Sequence, residues 1–197
     1  MPTRRRARSF SERIALAILL ATLALGAACS DDDDSSDPTA TSPAGTGVAL
    51  VDQVIAAVNA KDATKLASLL EFWPHPCVAT PAVGEVTCPA GAAPGTPVMV
   101  VGLGAGELGY LQPGSPGIAP AIDDLVGRAT KLYAVLEEPT FPNQSNVPGK
   151  YQIIFEPGVA FAVGDRGITF LSFDGLAPEA LIASGRYGFD VQYLVKP

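Results

Sequence analysis

Few side chains in this sequence have the type and spacing that catalysis requires. The single histidine, His75, lies between two prolines, and histidine is the side chain best suited to acid–base chemistry near neutral pH. The other candidates are the carboxylate pairs Asp123-Asp124 and Glu137-Glu138. Adjacent residues on a helix or strand point in different directions, so one member of each pair at most, such as Asp123 or Glu137, can face a pocket. The alternative interpretation is a surface histidine and solvated charge.

A glycine-rich stretch at residues 104–109 reads GAGELG, which matches the GxGxxG pattern of dinucleotide sites. Such a site needs a helix that begins within the motif, because the pyrophosphate binds at the helix N-terminus. Residues 110–116, YLQPGSP, cannot begin a helix of that kind, so the motif is interpreted as a turn. The sequence also lacks a complete set of metal ligands, and we predict no metal, no cofactor and no catalytic residue.

The N-terminal segment has the composition of an export signal. Five arginines precede an uncharged run at residues 14–28, which ends in small residues before Cys29. The run is shorter than the roughly 20 residues that a membrane-spanning helix needs. We therefore predict a signal peptide at residues 1–28. Residues 29–46 are acidic, rich in Ser, Thr and Pro and free of aromatic residues, which predicts a disordered tether.

Residues 25–29, LGAAC, resemble the lipobox of bacterial lipoproteins. That family has leucine three residues before the cysteine, whereas here Gly26 holds that place and Leu25 precedes it. The resemblance implies that Cys29 receives a thioether-linked diacylglycerol and becomes the acylated N-terminus after cleavage behind Ala28. The domain would then lie outside the cytoplasm, lipid-anchored to the cell membrane or outer membrane. An ordinary signal peptide with an accidental cysteine is the alternative.

Two further cysteines, Cys77 and Cys88, lie close together in the chain. Outside the cytoplasm an isolated pair of this kind predicts a disulfide, whose loop-closure entropy contributes roughly 3 kcal/mol. A metal pair or a reactive thiol is the alternative. A metal site would need more ligands than the pair and His75 provide.

The charge balance limits the classes of partner. The chain has 13 Lys and Arg residues against 20 Asp and Glu residues, and its net charge is −7. Removal of the signal segment takes five of the arginines away and makes the remainder more acidic. Nucleic-acid binding depends on neutralising phosphates, and attraction to anionic lipid depends on basic residues. We therefore exclude nucleic acid, and we expect membrane contact only through the lipid anchor.

Residues 47–197 are sufficient for one domain with a hydrophobic core. Apolar residues at spacings of three and four predict a helix over residues 48–70, broken at 59–62, and shorter helices at 119–128 and 178–184. Strands are predicted at 97–103, 107–111, 131–138, 151–156, 159–163, 168–173 and 187–195, with an irregular cystine loop at 72–97. This order predicts an α+β fold in which an N-terminal helix packs on a curved, mostly antiparallel sheet.

The stretch VDQVIAAVNAKDATKLASLLEF, residues 51–72, resembles the opening of NTF2-like domains of the cystatin-like superfamily. Those domains begin with a helix, a short break and a second helix, and they then fold a bent sheet into a cone. The resemblance implies a conical pocket between helix and sheet. The sequence carries no catalytic dyad of the family.

We expect a non-catalytic binding or interaction domain at the cell envelope, whose partner is an unknown small molecule or envelope protein. One alternative is an NTF2-like enzyme that uses His75 or a buried carboxylate in a conical pocket. Another is an assembly or scaffold component of the envelope. An open pocket with convergent polar groups would favour binding or catalysis, and a filled core with an exposed apolar patch would favour the scaffold.

Overall fold

The computed structural model describes residues 45–82, 84–104, 108–137, 148–187 and 191–197. The predicted signal segment, Cys29 and nearly all of the predicted tether lie outside these residues. Within the described residues, four helices accompany one mixed sheet of eight strands. The predicted α+β class is therefore confirmed.

The helices form where apolar spacing predicted them. They are α1 (Ala49–Asn59), α2 (Ala63–Ser68), α3 (Ile118–Arg128) and α4 (Pro178–Ala183). The chain breaks between α1 and α2 because Lys61 adopts a left-handed conformation with φ of 55°. Asp62 then caps α2, since its side chain accepts a hydrogen bond from the Lys65 backbone N–H at 2.8 Å. The Lys61 ammonium donates to the Val126 and Ala129 carbonyls at the end of α3, which joins the first and third helices.

The strands are β1 (Trp73–Pro76), β2 (Pro97–Gly104), β3 (Leu108–Leu111), β4 (Leu132–Glu137), β5 (Tyr151–Phe155), β6 (Val159–Val163), β7 (Ile168–Phe173) and β8 (Gln192–Val195). Their order in the sheet is β1-β2-β7-β6-β5-β4-β8, and β3 also pairs with β2. Strand β1 pairs with residues 97–100 of β2, and β3 pairs with residues 101–104. All of these pairings are antiparallel except β2 with β7, which is parallel. That parallel pairing makes the sheet mixed.

Two predictions of local structure were wrong. Residues 73–76 form strand β1, although Pro74 and Pro76 favoured an irregular loop. The strand forms because it lies at the edge of the sheet, where prolines are tolerated and where Trp73 and His75 still lie opposite Val100 and Val98. The last strand was predicted from residue 187 but begins at Gln192.

Opposite faces of the sheet carry separate hydrophobic clusters. Helices α1 to α3 cover one face, and their buried side chains pack with strand residues that include Phe155, Phe161 and Leu171; we call this cluster the helix-side core. Strand residues alternate between faces, so Ala160 and Ala162 point the other way. On that second face one cluster surrounds Trp73 and another surrounds Leu181 and Tyr187.

Candidate functional site

The structure does not bring the three predicted polar residues together. His75 lies on β1 and Glu137 at the end of β4, five strand positions away in the sheet, which corresponds to roughly 24 Å. Asp123 is exposed on α3, a helix of the helix-side core, whereas His75 lies beside Trp73 on the second face. Its neighbour Asp124 forms a surface ion pair with Arg128 at 2.7 Å. Asp123 and Asp124 are therefore exposed charges, whereas Glu137 is half-buried between β5 and β8, and none of the three lies beside the histidine.

The space between the helices and the sheet, where the resemblance implied a pocket, is filled with apolar side chains. Phe155, Phe161, Leu66 and Ile122 are fully buried there, and the two phenylalanine rings meet edge to face at 6.0 Å between centroids. Among the described residues, the buried polar side chains are Gln152, Thr169 and Ser172. None of these belongs to the helix-side core, so it offers no convergent polar group.

Three aromatic side chains gather on the second face, near the edge of the sheet. The His75 imidazole stacks on the Tyr110 ring, with 4.1 Å between centroids and 29° between planes. The Trp73 indole meets both rings edge-on, at 5.4 Å from His75 and 5.8 Å from Tyr110. Its Nε1–H donates to the Thr169 carbonyl at 3.2 Å, which anchors the indole to β7. We call Trp73, His75 and Tyr110 the aromatic cluster.

The backbone of β2 makes room for this cluster. Gly102 lies opposite Tyr110 in the β2–β3 register and opposite Phe170 in the β2–β7 register. A Cβ atom at Gly102 would overlap the Phe170 ring, so the glycine allows that ring to lie flat against β2. Phe170 and Trp73 then pack in one cluster, with Tyr110 against its side. The geometry of the aromatic cluster therefore depends on β1, on the consecutive strands β2 and β3, and on β7, which are three separate parts of the chain.

Burial keeps the stacked pair uncharged near neutral pH. It lowers the pKa of His75 below its ordinary value of 6.5 and raises the pKa of Tyr110 above its ordinary value of 10.0. The Nδ1 atom of His75 is buried and has no hydrogen-bond partner among the described residues. The two rings meet face to face, so in this arrangement neither group orients the other for proton transfer.

A groove of about 490 Å³ opens beside the aromatic cluster. Tyr110 lines it together with Glu85, Val86 and Thr87 of the cystine loop and with Gln112, Pro113, Gly114 and Ser115 after β3. Its volume lies within the range of small-molecule sites. Glu85 is the single charged residue of this lining, and one of its carboxylate oxygens accepts the Ala82 backbone N–H at 2.8 Å.

The predicted disulfide between Cys77 and Cys88 is present, and it holds one wall of the groove. The Cα atoms of the two residues lie 4.8 Å apart, and Cys77 is almost fully buried. Backbone bonds from Val78 N–H to Val86 and from Cys88 N–H to Val78 cross the closed loop. The wall residues Glu85, Val86 and Thr87 directly precede Cys88, so the disulfide limits how far this wall can move.

The sequence indicated His75 and the Cys77–Cys88 disulfide but gave no indication of the groove. Tyr110, Thr87 and Gln112 carried no motif, because each owes its place in the site to the pairing of β1, β2 and β3. The one available signal was the position of Tyr110 between two glycine-rich stretches. The GxGxxG motif begins at Gly104, the last residue of β2, and its final two residues belong to β3, which begins at Leu108. Residues 105–107, where the turn was predicted, lie outside the described residues. Residues 110–111 belong to β3 and begin no helix, as the sequence predicted.

Acidification is expected to destabilise the domain through His75. Because burial lowers the pKa of the folded-state imidazole, the unfolded chain takes up the proton first as the pH falls. The contribution of the neutral His75 imidazole to the free energy of unfolding is then fully present above about pH 6.5. It declines as the pH falls further toward the lowered folded-state pKa. Thermal melts between about pH 7.5 and pH 5.5 should show a falling Tm, in a window where ordinary carboxylates titrate little. His75→Phe keeps a ring on Tyr110 and should flatten this dependence; an unchanged slope would assign it to other groups.

The part of the chain that the structure describes contains neither a metal-ligand cluster nor a membrane-spanning helix. No group of three His, Cys, Asp or Glu residues in it is arranged to hold a metal ion. None of its helices has the length and apolar character needed to cross a membrane. Comparison of the chain with protein-family models, with curated proteins and with solved structures gives no significant match.

Proposed function

We propose that this chain is a lipid-anchored bacterial lipoprotein whose α+β domain is a non-catalytic binding module of the cell envelope. The observation that carries the binding role is the groove beside the aromatic cluster, since it combines an aromatic ring, hydrogen-bonding side chains and a volume suited to a small molecule. A small molecule is therefore favoured over an envelope protein as its partner.

The location of the domain is supported by two features of the cysteines. Cys29 follows an export-like segment and stands in the position of a lipobox cysteine. Cys77 and Cys88 form a disulfide, and disulfides persist mainly in compartments outside the reducing cytoplasm. The acidic tether after Cys29 would act as a flexible linker between the lipid and the domain.

We also propose that the domain is NTF2-like in fold. Its support is the succession of α1, a break at Lys61-Asp62 and α2, followed by a sheet with these helices on one face. The enzyme alternative is less well supported, because it needs a pocket on the face that the helices cover, and apolar side chains of the helix-side core occupy that space. The scaffold alternative is weakened because the large apolar residues exposed among the described ones are Met99, on β2, and Leu176, in the connection between β7 and α4.

Substitution of Cys29 tests the anchor. Cells that express the wild-type chain are fed an alkyne-labelled palmitate, and the protein is examined for label and for size. We expect a labelled, shortened wild-type protein, whereas Cys29→Ser should carry no label and should keep its full length, because the thiol is the nucleophile toward the lipid donor. Ser30→Ala is the matched control and should behave as wild type.

Two results would contradict the lipoprotein proposal. One is a Cys29→Ser protein that still carries the acyl label. The other is a wild-type protein that is shortened but unlabelled, which would identify an ordinary secretory signal. Membrane association alone is not a suitable measurement, since an uncleaved apolar segment can also retain the variant in the membrane.

A further inference from the structure

The groove beside the aromatic cluster offers hydrogen-bonding groups that the protein itself leaves unused. The Thr87 hydroxyl and the Gln112 side-chain amide have no hydrogen-bond partner within the described part of the chain. The Ser115 hydroxyl accepts the Gly117 backbone N–H and still has its own hydrogen to donate. These groups supply donors and acceptors to a ligand from both walls of the groove, without any rearrangement of the fold.

The charge of the lining argues against ionic ligands. An anion would meet Glu85 and find no cationic side chain in the lining. An organic cation binds best where several aromatic faces surround it. Here Tyr110 is the one aromatic residue of the lining, and because His75 stacks on one face of its ring, at most one aromatic face is left for a ligand, which is too few to surround a cation. The Glu85 carboxylate is partly engaged with the Ala82 N–H as well.

An uncharged polyhydroxylated ring matches the one aromatic ring and the uncharged hydrogen-bonding side chains of the groove. The C–H face of a sugar packs on an aromatic ring, and its hydroxyl groups exchange hydrogen bonds with amide, hydroxyl and carboxylate groups. We infer that the groove binds an uncharged saccharide of one or two rings, with Tyr110 as the stacking surface and Thr87, Gln112 and Ser115 as hydrogen-bonding groups. The inference rests on the proposed role as an envelope binding module and names its ligand class.

Trp73 gives this inference a built-in reporter. It is the one tryptophan in the chain, and its ring lies 5.8 Å from that of Tyr110. The full processed chain is purified in a zwitterionic detergent without a sugar headgroup. Trp73 emission and the backbone amide NMR signals of Thr87 and Gln112 are then followed during titration with glucose, N-acetylglucosamine, maltose and chitobiose. Tetramethylammonium chloride and inorganic phosphate are titrated in parallel.

We expect at least one of the four saccharides to give a saturable change at millimolar concentration or below. Gln112→Ala and Thr87→Val each remove one hydrogen-bonding group and should weaken that binding by about fivefold. Both residues lie on the rim of the groove, so the variants should fold normally. Tyr110→Phe keeps the stacking ring and should bind nearly as well as wild type. Asp123→Asn, on the opposite side of the sheet, is the matched control and should change nothing.

Three results would overturn the inference: no saturable response to any of the four saccharides, a saccharide response that survives both Gln112→Ala and Thr87→Val, or saturation by tetramethylammonium or phosphate alone. The acyl label on Cys29 is measured independently of these titrations. If the protein is labelled but binds no saccharide, the lipoprotein proposal stands and the inferred ligand class is wrong. If it is unlabelled but binds saccharide, the lipoprotein proposal is wrong and the inferred ligand class stands.

Discussion

Replacing Phe161 with alanine is expected to lower the free energy of unfolding by about 3–5 kcal/mol. Phe161 lies on β6, is fully buried in the helix-side core and contacts Phe155 edge to face. Its removal deletes a large apolar side chain and leaves a cavity that the surrounding strands and helices can fill only in part. Urea denaturation followed by circular dichroism measures the loss, provided that the slope of the transition is unchanged.

Ile153→Val is the matched control for this measurement. Ile153 lies on the neighbouring strand β5 in the same cluster and is also fully buried, and the loss of one methyl group should cost about 0.5–1.5 kcal/mol. A cost of less than about 1 kcal/mol for Phe161→Ala would mean that its site has little packing to lose. That outcome would contradict the filled core and would restore the enzyme alternative with its internal pocket.

The filled core determines where function can lie in this molecule. Apolar side chains occupy the space between helices α1 to α3 and the sheet, so the proposed ligand site lies at the sheet edge, where the groove of about 490 Å³ opens. The same fold can therefore serve as a binding module without the internal pocket that the NTF2-like resemblance implied. The function depends on the site and not on the fold alone, since one architecture can carry many different activities.

Much of the local structure could be predicted because it depends on short-range patterns. Strands β6 and β7 have the predicted bounds, since two apolar runs flank the turn sequence GDRG. The break between α1 and α2 follows from Asp62, which is a good helix cap. By contrast, β1 was missed because its two prolines favour a loop unless the strand lies at an edge. Whether a strand is an edge strand is decided by the whole sheet.

The parallel pairing of β2 with β7 had no local signal either. These strands are separated by about a third of the chain, and their register depends on packing over both faces of the sheet. The site shares this dependence. Cysteine number and spacing were enough to predict the Cys77–Cys88 disulfide, whereas the stacking of His75 on Tyr110 required β1 and β3 to meet along β2.

Loss of the Cys77–Cys88 disulfide is expected to destabilise the domain by about 3 kcal/mol. The two cysteines are 11 residues apart. Opening a loop of this size raises the conformational entropy of the unfolded chain and so lowers its free energy by about 3 kcal/mol. For a domain of this length the change corresponds to a fall in Tm of roughly 6–12 °C. The double variant Cys77→Ser, Cys88→Ser should melt at the temperature of the reduced wild-type protein, and reductant should leave the double variant unchanged.

The location of the destabilisation shows whether the cystine loop is only a wall of the groove or also supports the hydrophobic core. Amide hydrogen exchange in the double variant should accelerate at Val78 and at the substituted position 88, whose N–H groups bond within the cystine loop, more than in β5 to β7. Trp73 should keep its hydrogen bond to the Thr169 carbonyl, but its emission should shift slightly, because Val86 of the loop packs in the same cluster as the indole. Uniform acceleration across the sheet would show instead that the loop supports the whole fold. Free thiols at both positions in the native protein, with an unchanged Tm on reduction, would contradict the disulfide itself.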